Sequence, residues 1–65
     1  MKHYETMALY KGEVVIEGVV YAASEAEALD ICKKGLEENN ASVEASTYGM
    51  IIPVAACKFV AVAID

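Results

Sequence analysis

The sequence is poor in the residue types on which many small catalytic and metal sites depend. Its 65 residues include no tryptophan, one histidine, one proline and two cysteines. Cys32 and Cys57 lie far apart and form no CxxC pair, so neither a disulfide framework nor a zinc site is expected. We interpret both as buried, reduced, small apolar residues. No nucleophile motif accompanies His3, so no catalytic residue is expected.

Basic residues are also scarce. Five basic residues stand against ten acidic ones, which gives a formal net charge of −5. A chain of this charge repels phosphate, so direct binding of DNA or RNA is disfavoured. The same charge would complement a basic groove on a protein partner. The four glycines are scattered and form no phosphate-cradling loop, so no cofactor is expected.

The longest apolar run is too short to span a membrane. Residues 50–64 (MIIPVAACKFVAVAI) are almost all apolar, but Pro53 and Lys58 interrupt them. A spanning helix needs about 20 apolar residues. The first ten residues carry acidic and polar side chains where a signal peptide would need an apolar segment. These features predict a cytoplasmic protein without a membrane segment.

What the chain does have is apolar sequence. Hydrophobic residues make up 57% of it, which predicts a folded chain rather than a disordered acidic one. The length predicts one domain over residues 1–65. A domain of this size buries only about 60% of its unfolded surface and is marginal alone. Burial of more surface in a homodimer or against a protein partner would raise this marginal stability.

One helix is clearly indicated. Ser24 and Glu27 form a capping box, which predicts a helix that begins after Ser24. Asn39 and Asn40 suit its end, because asparagine tolerates a left-handed backbone. Gly35 lies on the apolar side of this helix and is expected to let the helix approach the sheet closely. That face comprises Ala28, Leu29, Cys32, Gly35 and Leu36, and the polar face comprises Glu27, Asp30, Lys34, Glu37 and Glu38.

Four extended segments surround this helix. Residues 2–10 and 13–22 are two predicted strands, and Lys11-Gly12 joins them in a short connection typical of a hairpin. Residues 42–52 and 57–64 are rich in β-branched and aromatic residues, with the alternative that residues 52–56 form a short helical turn. The predicted fold class is α+β in the order β-β-α-β-β. The predicted architecture is a four-stranded antiparallel sheet with one amphipathic helix packed on one face.

The sheet face away from the helix is expected to remain apolar. Alternation places Val14, Ile16, Gly18, Val20 and Ala22 toward the helix. Val15, Val19 and Tyr21 then face the other way. The last strand adds either the Phe59, Ala61, Ala63 set or the Val60, Val62, Ile64 set. An exposed apolar face of this kind marks an interaction site unless loops cover it, and an exposed strand edge is a second route to association.

The candidate contact residues combine this face with an acidic strip on the helix. First-turn carboxylates complement the helix dipole, so a capping role outweighs metal binding and no metal site is expected. Glu37 and Glu38 lie near the negative end of the helix, where they do not complement its dipole. With Glu27, Asp30 and Glu44 they could instead form an acidic strip that binds a basic groove on a partner. The predicted partner-binding residues are Glu27, Asp30, Glu37, Glu38, Glu44, Tyr21, Val15 and Val19.

The leading hypothesis is a non-enzymatic binding or inhibitor protein that acts sterically on a larger partner, as a homodimer. In size, charge and architecture the chain resembles phage-encoded inhibitors of host defence, including anti-CRISPR proteins. This resemblance implies steric inhibition and carries over no site residues. Two alternatives remain open. One is a small homo-oligomeric enzyme or ligand carrier with a pocket between subunits, and the other is a structural or regulatory subunit.

Overall fold

The chain forms an α+β unit with one helix packed on an antiparallel sheet. The computed structural model describes residues 1–41 and 51–65. The elements are β1 (Lys2–Tyr10), β2 (Glu13–Ala22), α1 (Glu25–Ala41), a single 3₁₀ turn (Val54–Ala56) and β3 (Lys58–Ala63). The sequence-based fold class is therefore confirmed at this level, together with the bounds of the first two strands.

The first strand lies at the centre of the sheet. The strand order is β2-β1-β3, and both pairings are antiparallel. The β1–β2 hairpin turns at Lys11 and Gly12, where φ is 53° and 80°. Two positive φ values are what a tight type I′ hairpin turn requires. The predicted glycine-containing connection is confirmed.

The predicted capping box defines the start of α1. The Glu27 N–H donates to the Ser24 hydroxyl over 3.1 Å. The Glu27 carboxylate accepts from the Ala23 N–H over 3.4 Å, one residue before the position that a standard box uses. At its other end α1 continues to Ala41, beyond the predicted stop at Asn39 and Asn40.

Asn40 does not end the helix as predicted, and its side chain binds the backbone of Ile52 instead. Its side-chain amide donates to the Ile52 carbonyl and its side-chain oxygen accepts from the Ile52 N–H, each over 2.8 Å. Ile52 is 1% exposed. The amide of Asn40 therefore satisfies both backbone groups of a buried residue and ties residues 51–53 to the last turn of α1.

Small side chains let the helix lie close to the sheet. Among the residues that the structure describes, alanines occupy much of the core, and Leu36 and Ile52 are the largest fully buried side chains. Thr6 is buried in the same layer, and its hydroxyl donates to the Gly18 carbonyl over 3.0 Å. The buried apolar residues are Tyr4, Ala8, Ala22, Ala28, Cys32, Leu36 and Ile52. The predicted apolar face of the helix is thus confirmed by the burial of Ala28, Cys32 and Leu36.

Three expectations need revision. The predicted third strand covers residues 42–52, but residues 42–50 lie outside the described part of the chain, and residues 51 and 52 are not in a strand. The alternative of a short turn within residues 52–56 is confirmed by the 3₁₀ turn. The last strand runs from Lys58 to Ala63, slightly shorter than predicted, and it pairs with β1 across the fold.

The third revision concerns Val14. A register shift between Ala8 and Leu9 sets Val14 opposite Leu9, which shares its sheet face with Met7. The prediction that Val14 faces the helix is therefore wrong, because one extra residue in β2 reverses the alternation beyond it. Val15 lies at this shift and is half-buried.

Candidate interaction surface

Among residues 1–41 and 51–65, the side of the sheet opposite α1 carries most of the large exposed apolar side chains. We call it the open face. The pairing of β1 with β2 and β3 arranges the open-face side chains in rows across the sheet. Tyr21 and Ile64 flank His3, Val19 and Val62 flank Glu5, Glu17 and Val60 flank Met7, and Val14 and Lys58 flank Leu9. Of the two alternatives for the last strand, the structure therefore selects Val60, Val62 and Ile64.

Four large apolar side chains on the open face are more than half exposed. The exposed fractions are 59% for Val19, 55% for Tyr21, 56% for Val62 and 52% for Ile64. They come from the two outer strands and lie on both sides of β1. Val19 and Tyr21 form an adjacent pair on one side, Val62 and Ile64 form another on the other side, and His3 and Glu5 of β1 lie between the two pairs. Exposed apolar side chains grouped in this way on one sheet face indicate an interaction site.

Two carboxylates lie within this apolar surface. Glu5 is directly opposite Val19, and Glu17 is the diagonal neighbour of Glu5 on the next strand. Together with Gly18 and Val19 they line a shallow depression of about 350 Å³. Gly18 contributes its backbone to this depression, because its side-chain position faces the helix side with Thr6. Neither carboxylate belongs to a salt bridge within residues 1–41 and 51–65.

His3 lies at one end of the open face. Its Nδ1 is 2.8 Å from Oδ2 of Asp65, and its backbone N–H donates to Oδ1 over 2.6 Å. Its ring also lies against Tyr21, with ring centroids 4.7 Å apart. The hydrogen bonds from His3 lower the pKa of the Asp65 carboxyl. Together with the Ile64 N–H, which donates to the His3 carbonyl, these contacts extend the pairing of β1 beyond the end of β3.

The predicted contact residues do not form one surface. Glu27, Asp30, Glu37 and Glu38 are exposed on α1, on the side of the molecule opposite the open face. Asp30 also pairs with Lys34 over 3.4 Å. Tyr21 and Val19 are on the open face, Val15 is at the register shift, and Glu44 lies outside the described residues. A flat partner could not cover the helix strip and the open face at once.

The cysteines are free thiols. Cys32 is buried as predicted, whereas Cys57 is only half-buried, because it follows the 3₁₀ turn at the margin of the core. Burial, with a smaller contribution from the nearby Cys32, raises the pKa of the Cys57 thiol. The Cys57 thiol also lies 3.4 Å from the Pro53 carbonyl. A raised pKa keeps the thiol protonated, so Cys57 is poorly suited to nucleophilic chemistry.

A further groove lies on the helix side of β2. It has a volume of about 180 Å³ and an almost wholly apolar lining that includes Ile16, Gly18, Ile31 and Gly35. Across the described ranges, no three His, Cys, Asp or Glu side chains are grouped closely enough to hold a metal ion. None of the helical segments in those same ranges has the length and apolar character needed to cross a membrane.

Sequence reasoning missed part of this surface. Glu5 and Glu17 were not among the predicted contact residues, although alternation already places Glu17 in the same set as Val19 and Tyr21. Glu5 occupies the equivalent position in a strand whose neighbours were unknown. The pairing of β1 with both other strands, which the alternation alone does not reveal, places Glu5 between two exposed valines.

Comparisons of this chain with protein-family models, curated proteins and solved structures find no match.

Proposed function

We propose that this is a non-enzymatic protein-binding protein that covers part of a larger partner with the open face of its sheet. The observation that carries this proposal is the exposure of Val19, Tyr21, Val62 and Ile64 on one side of the sheet. Covering these side chains would remove apolar surface from water, and each fully buried residue of this size contributes about 1.5–3 kcal/mol. The aromatic ring of Tyr21 adds an amphipathic contact of the kind enriched at interfaces.

Steric inhibition is the mode of action that this geometry supports best. The open face is broad, its depression is shallow, and the half-exposed His3 contacts Asp65 and Tyr21 rather than a nucleophile. A protein of this kind acts by occupying a surface that its partner needs for another ligand. Inhibition of a host-defence protein, expected from the size, charge and architecture of the chain, stays a prediction within this proposal.

The proposal can be tested by comparing the two sides of the molecule. A photoreactive phenylalanine at position 19 or at position 38 would report contacts of the open face or of the helix side in cells that make the protein. The crosslinked partner would then be purified, and its affinity measured for the wild type and for the Val19→Thr/Val62→Thr double variant. Threonine keeps the β-branched shape and the strand propensity while it adds a polar group.

We expect crosslinks from position 19 and a Kd that rises about tenfold in the double variant, because two hydroxyl groups must be desolvated at the interface. Circular dichroism and the thermal unfolding midpoint provide the folding control. Crosslinks from position 38 alone, or an unchanged Kd with the purified partner, would show that the open face is not the binding surface.

A further inference from the structure

The open face is apolar at its rim and acidic at its centre, and this combination limits the kind of partner that it can bind. Its rim is apolar, yet Glu5 lies at its centre between Val19 and Val62, with Glu17 at the diagonal position. We propose that the partner inserts a cationic side chain, flanked by apolar residues, into the depression between Glu5 and Glu17. This inference rests on the proposed binding role of the open face and identifies the chemistry of its partner.

An entirely apolar partner would fit the open face poorly. Closing the face with such a surface would remove Glu5 and Glu17 from water without giving either carboxylate a hydrogen-bond donor. A buried, unpaired carboxylate costs several kcal/mol, which would offset much of the gain from covering the valines. A cation between the two carboxylates removes that cost and leaves the apolar contacts intact.

The spacing of the two carboxylates suits one cationic group. Diagonal neighbours on one face of an antiparallel pair lie about 7–8 Å apart. A guanidinium or ammonium group between them can reach both, since a charge-assisted hydrogen bond spans about 2.8 Å. The depression that Glu5, Glu17, Gly18 and Val19 line, of about 350 Å³, leaves room for such a group at the surface.

A second copy of this chain is the less favourable occupant. Two copies that meet through their open faces bring Glu5 and Glu17 of one into the same interface as Glu5 and Glu17 of the other. Lys58 is the open-face residue with a permanent positive charge, and it lies two rows from Glu5, beside Leu9. The formal net charge of −5 adds a general repulsion between copies. A partner with a basic, partly apolar surface avoids both penalties.

The experiment uses a displayed library of random linear peptides, selected against the immobilised wild-type protein at low salt. Selected peptides are then synthesised, and their affinities are measured by fluorescence anisotropy. The test variants are Glu5→Gln, Glu17→Gln and their combination, which remove charge but keep the shape of the side chains. Glu25→Gln removes the same charge from the exposed start of α1 and serves as the matched control.

We expect the selected peptides to share an arginine or lysine between apolar residues. Their Kd should rise about tenfold or more in the Glu5→Gln/Glu17→Gln variant, because a charge-assisted hydrogen bond is worth more than a neutral one. It should stay unchanged in Glu25→Gln. Raising NaCl from about 0.05 M to about 0.5 M should weaken binding, since these carboxylates are exposed to screening.

The outcomes separate the two proposals. Peptides that lack basic residues, and whose binding depends on Val19 and Val62 but not on the carboxylates, would overturn this inference and leave the binding role of the open face intact. Peptides unaffected by Val19→Thr/Val62→Thr would overturn both. A solution mass that doubles with concentration and returns to the monomer value in Val19→Thr/Val62→Thr would identify a second copy as the occupant and overturn the basic partner.

Discussion

Among single residues, Gly35 shows how closely α1 approaches the sheet. A Cβ at this position would lie 3.4 Å from Cδ1 of Ile16, the flexible end of a side chain. The close approach expected from the sequence is therefore present, but it leaves room for one methyl group. Alanine also avoids the helix penalty of glycine, which is about 1 kcal/mol.

We expect Gly35→Ala to raise the free energy of unfolding by about 0.5–1 kcal/mol, measured by urea denaturation. The comparison variant is Gly35→Leu, whose longer side chain must displace Ile16 and is expected to destabilise the protein. A destabilised Gly35→Ala protein would mean that Ile16 cannot shift and that the helix and sheet are in tighter contact than this spacing indicates.

Asp65 provides a pH-dependent contact. Hydrogen bonds from the His3 side chain and backbone lower the pKa of Asp65 in the folded protein. A carboxyl group with a lowered folded-state pKa contributes stability that is complete above its unfolded pKa. That contribution is lost as the pH falls through the lowered folded value.

We therefore expect the backbone amide resonance of His3 to titrate with a midpoint below the usual aspartate pKa of about 3.9, as followed by NMR. Asp65→Asn keeps a hydrogen-bond acceptor but cannot ionise, so the same resonance should show no such step. A midpoint at the usual value in the wild type would mean that the contact with His3 does not persist in solution.

Among the secondary-structure elements, the end of α1 depends on a single amide. Asn40→Leu removes both partners of the Ile52 backbone while keeping a side chain of similar size. Because Ile52 is buried, the loss should lower the free energy of unfolding by about 2–3 kcal/mol, measured in urea.

Asn40→Asp is the matched variant for this contact. It keeps the oxygen that accepts from the Ile52 N–H but sets a carboxylate oxygen against the Ile52 carbonyl, so we expect it to be destabilised at neutral pH and to regain stability when the carboxyl group is protonated at low pH. Equal stability of Asn40→Leu and the wild type would show that residues 51–53 are held by packing alone.

The elements that the sequence predicts well are those whose signals are local. The capping box at Ser24 and the Lys11-Gly12 turn each depend on neighbouring residues, and both are confirmed. The shift that moves Val14 to the open face has no comparable signal, because an extra residue in a strand is visible only against its partner. The contact of Asn40 with Ile52 was missed for a similar reason, since it joins segments that are separate in the sequence.

For the molecule as a whole, alternation predicts an apolar second face on the sheet but not its composition. The sequence placed acidic helix residues and open-face residues in one set of contacts, whereas the packing of α1 separates them on opposite sides. It also left two choices for the last strand, and only pairing with β1 selects Val60, Val62 and Ile64. Strand order is a property of the whole fold, so Glu5 could not be placed at the centre of that face beforehand.

The central position of β1 has a consequence for how the chain reaches its native state. The β1–β2 hairpin and α1 use contacts between near neighbours, but Tyr4 pairs with Ala63. Closing so long a loop is entropically costly and slow, so the second side of β1 should be the last to be paired. Until then, a nascent or partly unfolded chain exposes the second edge of β1, which lies in the middle of its future sheet. The period of greatest aggregation risk should therefore end when β3 docks.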